Sequence, residues 1–211
     1  MQGILDLLNS DLGKNIINGV SSSTGNDANK TSSVLTMAMP VLMKAMERNA
    51  STTTGAEGLV NALSNKHDGS ILNNLGDLFK GGVNNDVIND GSKILGHILG
   101  NKQNGVEQVI SQKAGIDAGS VSKILKIAAP ILMGYLGKQK QEQNINDAGN
   151  ITNLIGGLLG NNQANNQQNF LEQILDADGD GSVVDDVAGM LLGGNKKQGG
   201  IGGMLGGLFG K

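Results

Sequence analysis

Cysteine is absent from the chain, which rules out disulfides and thiolate metal sites and removes any redox clue to compartment. Tryptophan is absent too, and aromatics make up only 2% of the residues. A core must therefore be built from Leu, Ile, Val, Ala and the 8 Met, the last flexible enough to fill irregular gaps. Arginine occurs once, at Arg48, so bidentate recognition of phosphate or guanine is nearly excluded. Neither sign of charge dominates: 16 basic and 19 acidic residues leave a net charge of −3, which predicts no strong pull toward nucleic acid or anionic lipid. The longest apolar stretch, Ile127–Leu136, falls well short of the ~18 residues that a spanning helix requires. The N-terminal MQGILDLLNSDLGK lacks a basic region followed by an apolar one, so no secretory signal is read. A cytoplasmic location is expected, with export by another route left open.

What is present is helical. A length of 211 residues suits one moderate domain or two small ones. No sustained alternation of β-branched residues occurs, and no hairpin turn separates two such runs. Leu35, Met39, Leu42, Met43 and Met46 share one helical face, as do Ile124, Ile127, Ala128, Ile131 and Leu132. Each of these two helices contains a proline, Pro40 or Pro130, expected to kink it or split it in two. Ser21–Lys30 and Asn161–Asn169, rich in Gly, Asn, Ser and Gln, read as mobile loops.

Self-similarity is the most informative feature. Pro130 lies 90 residues beyond Pro40, and at that shift SSVLTMAMPVLMKAM lies over SKILKIAAPILMGYL. Gly25, Asp27 and Ala28 then lie over Gly115, Asp117 and Ala118. Further on the shift becomes 112, and LVNALSNKHDGSILNNLGDLF lies over LEQILDADGDGSVVDDVAGML. The extra residues fall near the Asn/Gln-rich stretch around 140–169, where an insertion in a surface loop costs little. The expected fold is thus all-α and multihelical, from an internal duplication. It comprises a first helical repeat at 1–80, a second at 86–193 and a Gly-rich amphipathic tail at 194–211.

DGSKILGHILGNKQNGVEQVISQKAGIDAGSVSKILKIAAPILMGYLGKQ, with the later DADGDGSVVDD, resembles the bacterial YidB-like proteins, domain of unknown function 937. The likeness covers most of the chain and is strongest from Asp90 to Val187. GHILG around His97 and AAPILMG around Pro130 carry it together, whereas the first half reads AMPVLMK and has no GHILG. The resemblance implies a compact multihelical fold and supplies no established activity.

The strongest chemical signal is Asp176-Ala177-Asp178-Gly179-Asp180-Gly181-Ser182. Carboxylates at the first, third and fifth places followed by Gly are how a Ca²⁺ loop begins, because alternate residues of a curled loop point oxygens inward together. Ser182 would add its backbone carbonyl. An EF-hand loop closes with a bidentate Glu at about its twelfth place. Here that place is Val187, so Asp185 or Asp186 must close the shell early. The competing reading is a turn in which Ser182 caps a helix from Val183, with Asp185 at the capping-box place. Three carboxylates within five residues repel each other, and a simple cap does not need them. Ca²⁺ is therefore the expected cofactor. The equivalent places in the first half, Ser64, Lys66 and Asp68, cannot hold a divalent cation, so the DGS turn itself is read as serving the fold.

Three weaker signals remain. VEQVISQKAGIDAGSVSKIL has the cadence of a helix–turn–helix, with Ser120, Ser122, Lys123 and Lys126 on its polar face. Without arginine nearby, an ordinary helical hairpin is the better reading. In the tail, Ile201, Met204, Leu205, Leu208 and Phe209 form one helical stripe among glycines that disfavour a free helix. Docking on protein, self or partner, is expected there, because a membrane-surface helix usually carries a basic face. His67 and His97 have no Ser, Asp or second His at motif spacing, and His97 reads as packed or half-exposed. With no catalytic pairing and no phosphate loop, the chain is not read as an enzyme. The expected role is a non-catalytic structural or protein-interaction module, with self-association as an added expectation. The alternatives are a helical DNA-associated regulator and, more weakly, a peripheral membrane or envelope-associated protein.

Overall fold

The computed structural model describes residues 3–145 and 147–160. Ten α-helices run through them: α1 (Ile4–Asn9), α2 (Asp11–Thr24), α3 (Ala28–Asn49), α4 (Thr53–Asn65), α5 (Ser70–Asn73), α6 (Leu75–Phe79), α7 (Asn85–Leu99), α8 (Gln103–Ala114), α9 (Ala118–Glu142) and α10 (Ala148–Leu159). A 3-10 turn, Gly100–Lys102, joins α7 to α8. No strand occurs among the described residues, and the fold is all-α and multihelical.

The expected loop at Ser21–Lys30 is instead a tight corner. Ser21 to Thr24 end α2, and Ala28 to Lys30 begin α3. Three residues suffice between them because each has a fixed job. Gly25 takes the left-handed conformation (φ +70°) that ends a helix without a Cβ clash. Asp27 then caps α3, its carboxylate accepting from Asn29 N at 2.9 Å and Lys30 N at 3.1 Å. The Ser21 hydroxyl crosses the corner to donate to the Asn26 carbonyl at 2.6 Å. The α8–α9 corner repeats these contacts. Gly115 has φ +65°, Ser111 Oγ donates to Ile116 O at 2.6 Å, and Asp117 accepts from Ser120 N at 2.9 Å.

Neither proline splits its helix: α3 passes through Pro40 and α9 through Pro130 as single elements. Both prolines are buried in the core, where apolar packing on all sides offsets the one lost ladder bond. Proline has no N–H to give to the carbonyl four residues back, and at Pro130 that carbonyl belongs to Lys126. The backbone of α7 lies directly against it. A Cβ added at Gly91 would sit 1.7 Å from the Lys126 oxygen, so only glycine allows this approach.

α3 and α9 are the central pair, and both expected apolar faces are buried. Every residue of α3 buried from Thr31 to Met46 has a buried counterpart 90 places on in α9. Thr31 pairs with Val121, Leu35 with Leu125 and Met46 with Leu136. The surrounding helices pack in matched pairs. α2 and α4 lie on α9, while α8 and α10 lie on α3. α1 packs on α3 as α7 packs on α9, and α4 meets α10. The two segments of the chain therefore interleave around one apolar core.

Candidate functional site

Asp176, Asp178, Asp180, Ser182, Asp185 and Asp186, expected to hold Ca²⁺, lie outside the described residues, as do the Asn161–Asn169 segment and the tail. The first DGS turn is within them. Asp68 Oδ1 accepts from Ser70 N at 3.0 Å, and Gly69 takes φ +103°. The backbone and side-chain hydrogen bonds from Ser70 hold the Asp68 carboxyl below its ordinary value. The turn docks on α9: Gln141 Nε2 donates to Asp68 O at 2.9 Å, and a Cβ at Gly137 would lie 1.7 Å from His67 O. Among the described residues, no group of three or more His, Asp or Glu is placed to hold a metal ion.

That docking brings His67 to the inner end of a cleft of about 570 Å³ between the end of α3, α4 and α7. The floor is apolar: Met46, Leu59, Ala62, Ile94, Ile98 and Met133. Asn49, Lys66, Asp90, Lys93 and His97 supply the polar positions. Helical spacing explains the walls. Asp90, Lys93, Ile94, His97 and Ile98 follow i, i+3, i+4, i+7, i+8 along one face of α7. Gly55, Gly58, Leu59 and Ala62 follow i, i+3, i+4, i+7 on α4. Asn49 locks the two sides, its Nδ2 donating to the carbonyls of His97 at 3.3 Å and Ile98 at 3.2 Å. These belong to the last turn of α7, whose carbonyls lack helical partners.

His67 is only 7% exposed. Its Nε2 lies 3.7 Å from Asp90 Oδ2, and the same carboxylate pairs with Lys66 Nζ. Burial pushes the His67 imidazole below its ordinary value; Asp90 opposes the shift and Lys66 assists it. At neutral pH the ring is therefore uncharged. His97, read from sequence as packed or half-exposed, is exposed at the rim, in the last turn of α7. Reading the histidines as unrelated missed that both line one cleft. The spacing from Asp90 to Ile98 was the available signal; the approach of α4 to α7 was not readable.

The helix–turn–helix cadence does form a hairpin, α8 and α9. The Ser120 hydroxyl donates to its capping partner Asp117 at 2.7 Å. From Ile127 to Gly137 every residue of α9 is buried, so beyond its first turns α9 is a core helix.

The arrangement defines an all-helical protein with an apolar, polar-rimmed cleft, and among the described residues no helix is long and apolar enough to cross a membrane. The family model described as "Bacterial protein of unknown function (DUF937)" matches residues 6–139. The chain belongs to that family. No curated protein and no solved structure matches it.

Proposed function

We propose that the chain is a non-catalytic protein-interaction module whose cleft seats an apolar segment with helical spacing. The cleft itself carries this reading. It has an apolar floor between two helix faces and a rim of Lys66, Lys93 and His97, and it includes two methionines, Met46 and Met133, whose flexible thioethers adapt to varied partners. The uncharged His67 contacts no nucleophile at hydrogen-bond distance, which favours recognition over reaction. In this reading the two interleaved segments descend from one duplicated unit, which the matched corners and matched buried positions support. The acidic turn at Asp176–Asp186 adds a Ca²⁺ site to the later copy, and the chain self-associates or meets its protein partner through the tail. The DNA-associated reading is weaker, because so little of α9 is free to enter a groove.

The test uses the full chain labelled with ¹³C on its methionine methyls. The probe is an 18-residue amphipathic peptide with Leu at i, i+3, i+4 and i+7 and Glu on its other face. Binding in the cleft moves the Met46 and Met133 signals, and Gly58→Leu, which fills the cleft, prevents the shift. Signals that stay fixed up to millimolar peptide, or that shift equally in Gly58→Leu, overturn the reading.

A further inference from the structure

We propose that the occupant of the cleft is the chain's own C-terminal segment, Ile201–Lys211, seated within the same molecule. This rests on the reading of the cleft as a seat for an apolar helical segment. Three complementarities point to that occupant.

The first is spacing. Ile201, Met204, Leu205, Leu208 and Phe209 follow i, i+3, i+4, i+7, i+8, the same rhythm that α4 and α7 present from the cleft walls.

The second is close approach. The cleft side of α4 carries Gly55, Gly58 and Ala62. Among the described residues, a Cβ at Gly58 would meet no heavy atom within 4 Å, so none of them fills that space. The apolar residues of the segment are themselves separated by glycines. Two surfaces of small residues let backbones come close and gain contact area that larger side chains would block.

The third is charge. The segment carries Leu208-Phe209-Gly210-Lys211, an apolar pair followed by one ammonium. Asp90 at the rim is partly exposed beside Lys66. The Lys211 ammonium suits Asp90. Geometry permits the return within one molecule. Forty residues separate Gly160 from Ile201, and a chain that long spans up to roughly 130 Å when extended. The tether keeps the segment at an effective concentration on the order of millimolar. At low micromolar protein, the molecule's own segment therefore outcompetes that of another copy. Seating a glycine-rich segment costs conformational entropy, so the contact is weak enough for a partner helix to displace it.

The experiment places photoreactive p-benzoylphenylalanine at position 209 of the full chain. Equal amounts of ordinary and ¹⁵N-labelled protein are mixed at low micromolar concentration, irradiated and mapped by mass spectrometry. The expected adducts join position 209 to Met46, Leu59, Ile94 or Met133 within one chain, and Gly58→Leu cuts their yield at least tenfold. Adducts scattered over the surface, adducts between labelled and unlabelled chains, or none in the cleft overturn the proposal. The methionine-methyl titration separates its failure from that of the broader reading. Methyls that respond to the probe while adducts avoid the cleft leave the cleft a seat for some other helix. Adducts in the cleft with unresponsive methyls uphold the seated segment and overturn the reading of the cleft as an exchangeable seat for a partner helix. Absence of both overturns both.

Discussion

Replacing Gly91 with alanine tests whether α7 and α9 are fixed by a backbone-to-backbone approach. The new Cβ would lie 1.7 Å from the Lys126 oxygen, 2.6 Å from its carbonyl carbon and 2.9 Å from its Cα. All three are backbone atoms of a buried helix, so no side chain can swing aside. The helices must part by more than an ångström, loosening Leu95 and Leu99 against α9. Overpacking of this kind costs roughly 1–3 kcal/mol and more where the neighbour is rigid, so about 3–4 kcal/mol is expected here. Alanine returns about 1 kcal/mol through helix propensity, leaving a net loss of about 2–3 kcal/mol. For a protein of this size, each kcal/mol moves the melting temperature by roughly 2–4 °C. Circular dichroism at 222 nm should therefore show a fall of roughly 5–10 °C. Gly96→Ala on the same helix is the matched comparison, because no heavy atom lies within 4 Å of its added Cβ. It should gain up to about 1 kcal/mol. If both variants melt within a degree or two of the parent, or fall together, the close-approach argument is wrong.

Thr31→Val should stabilise the fold by about 1–2 kcal/mol in urea titration, because the buried Thr31 hydroxyl has no hydrogen-bond partner among the described residues and its counterpart Val121 packs without one; a loss of stability would show that the hydroxyl is satisfied. Stability should fall as pH drops below about 6.5. The folded state holds His67 below its ordinary value while the unfolded chain binds the proton more readily, so the contribution is present above the unfolded value and lost as pH falls toward the folded one. His67→Asn should flatten that dependence, and an unchanged slope would assign the effect elsewhere. Calorimetry of the full chain should detect heat on adding millimolar Ca²⁺, and Asp178→Ala with Asp180→Ala should abolish it; no heat in the parent chain rejects the acidic turn as a Ca²⁺ site.

The helices that were legible are those whose signals are local. The spacing of Leu35, Met39, Leu42, Met43 and Met46 is a property of one segment, and so is the match of Gly25-Asn26-Asp27 with Gly115-Ile116-Asp117. The error at Ser21–Lys30 came from reading polar composition as looseness. Ser, Gly and Asp there each satisfy a particular backbone group, which makes the corner short. The split that the prolines suggested fails for the opposite reason. A proline's cost in an isolated helix is fixed by its chemistry, but the packing that offsets it at Pro40 and Pro130 comes from helices distant in sequence. The cleft was half legible: the α7 face could be drawn from Asp90 to Ile98, yet nothing local says that α4 stands opposite, or that Gly137 lets the His67 carbonyl press onto α9.

Interleaving explains why those distant contacts matter so much. The family match stops at residue 139, inside α9. Yet α10, beyond it, buries Ile151, Leu154, Ile155 and Leu158 and packs on α3 from the opposite end of the chain. α4 does the same for α9, so each central helix is closed by the helix that follows the other one. The side of α4 that meets α9 and α10 is committed to the core through Ala56 and Leu63. Its other side, with Gly58 and Leu59, is left facing the cleft. A chain with almost no aromatic side chains to fill wide gaps must bring helix backbones close together, and it does so with glycine at Gly91 and Gly137. The same means of approach lies unused at Gly58. Gly58 is open as Gly96 is, but it lies in the wall of the cleft, and that position is the physical reason to look for the protein's partner on α4 rather than on the buried length of α9.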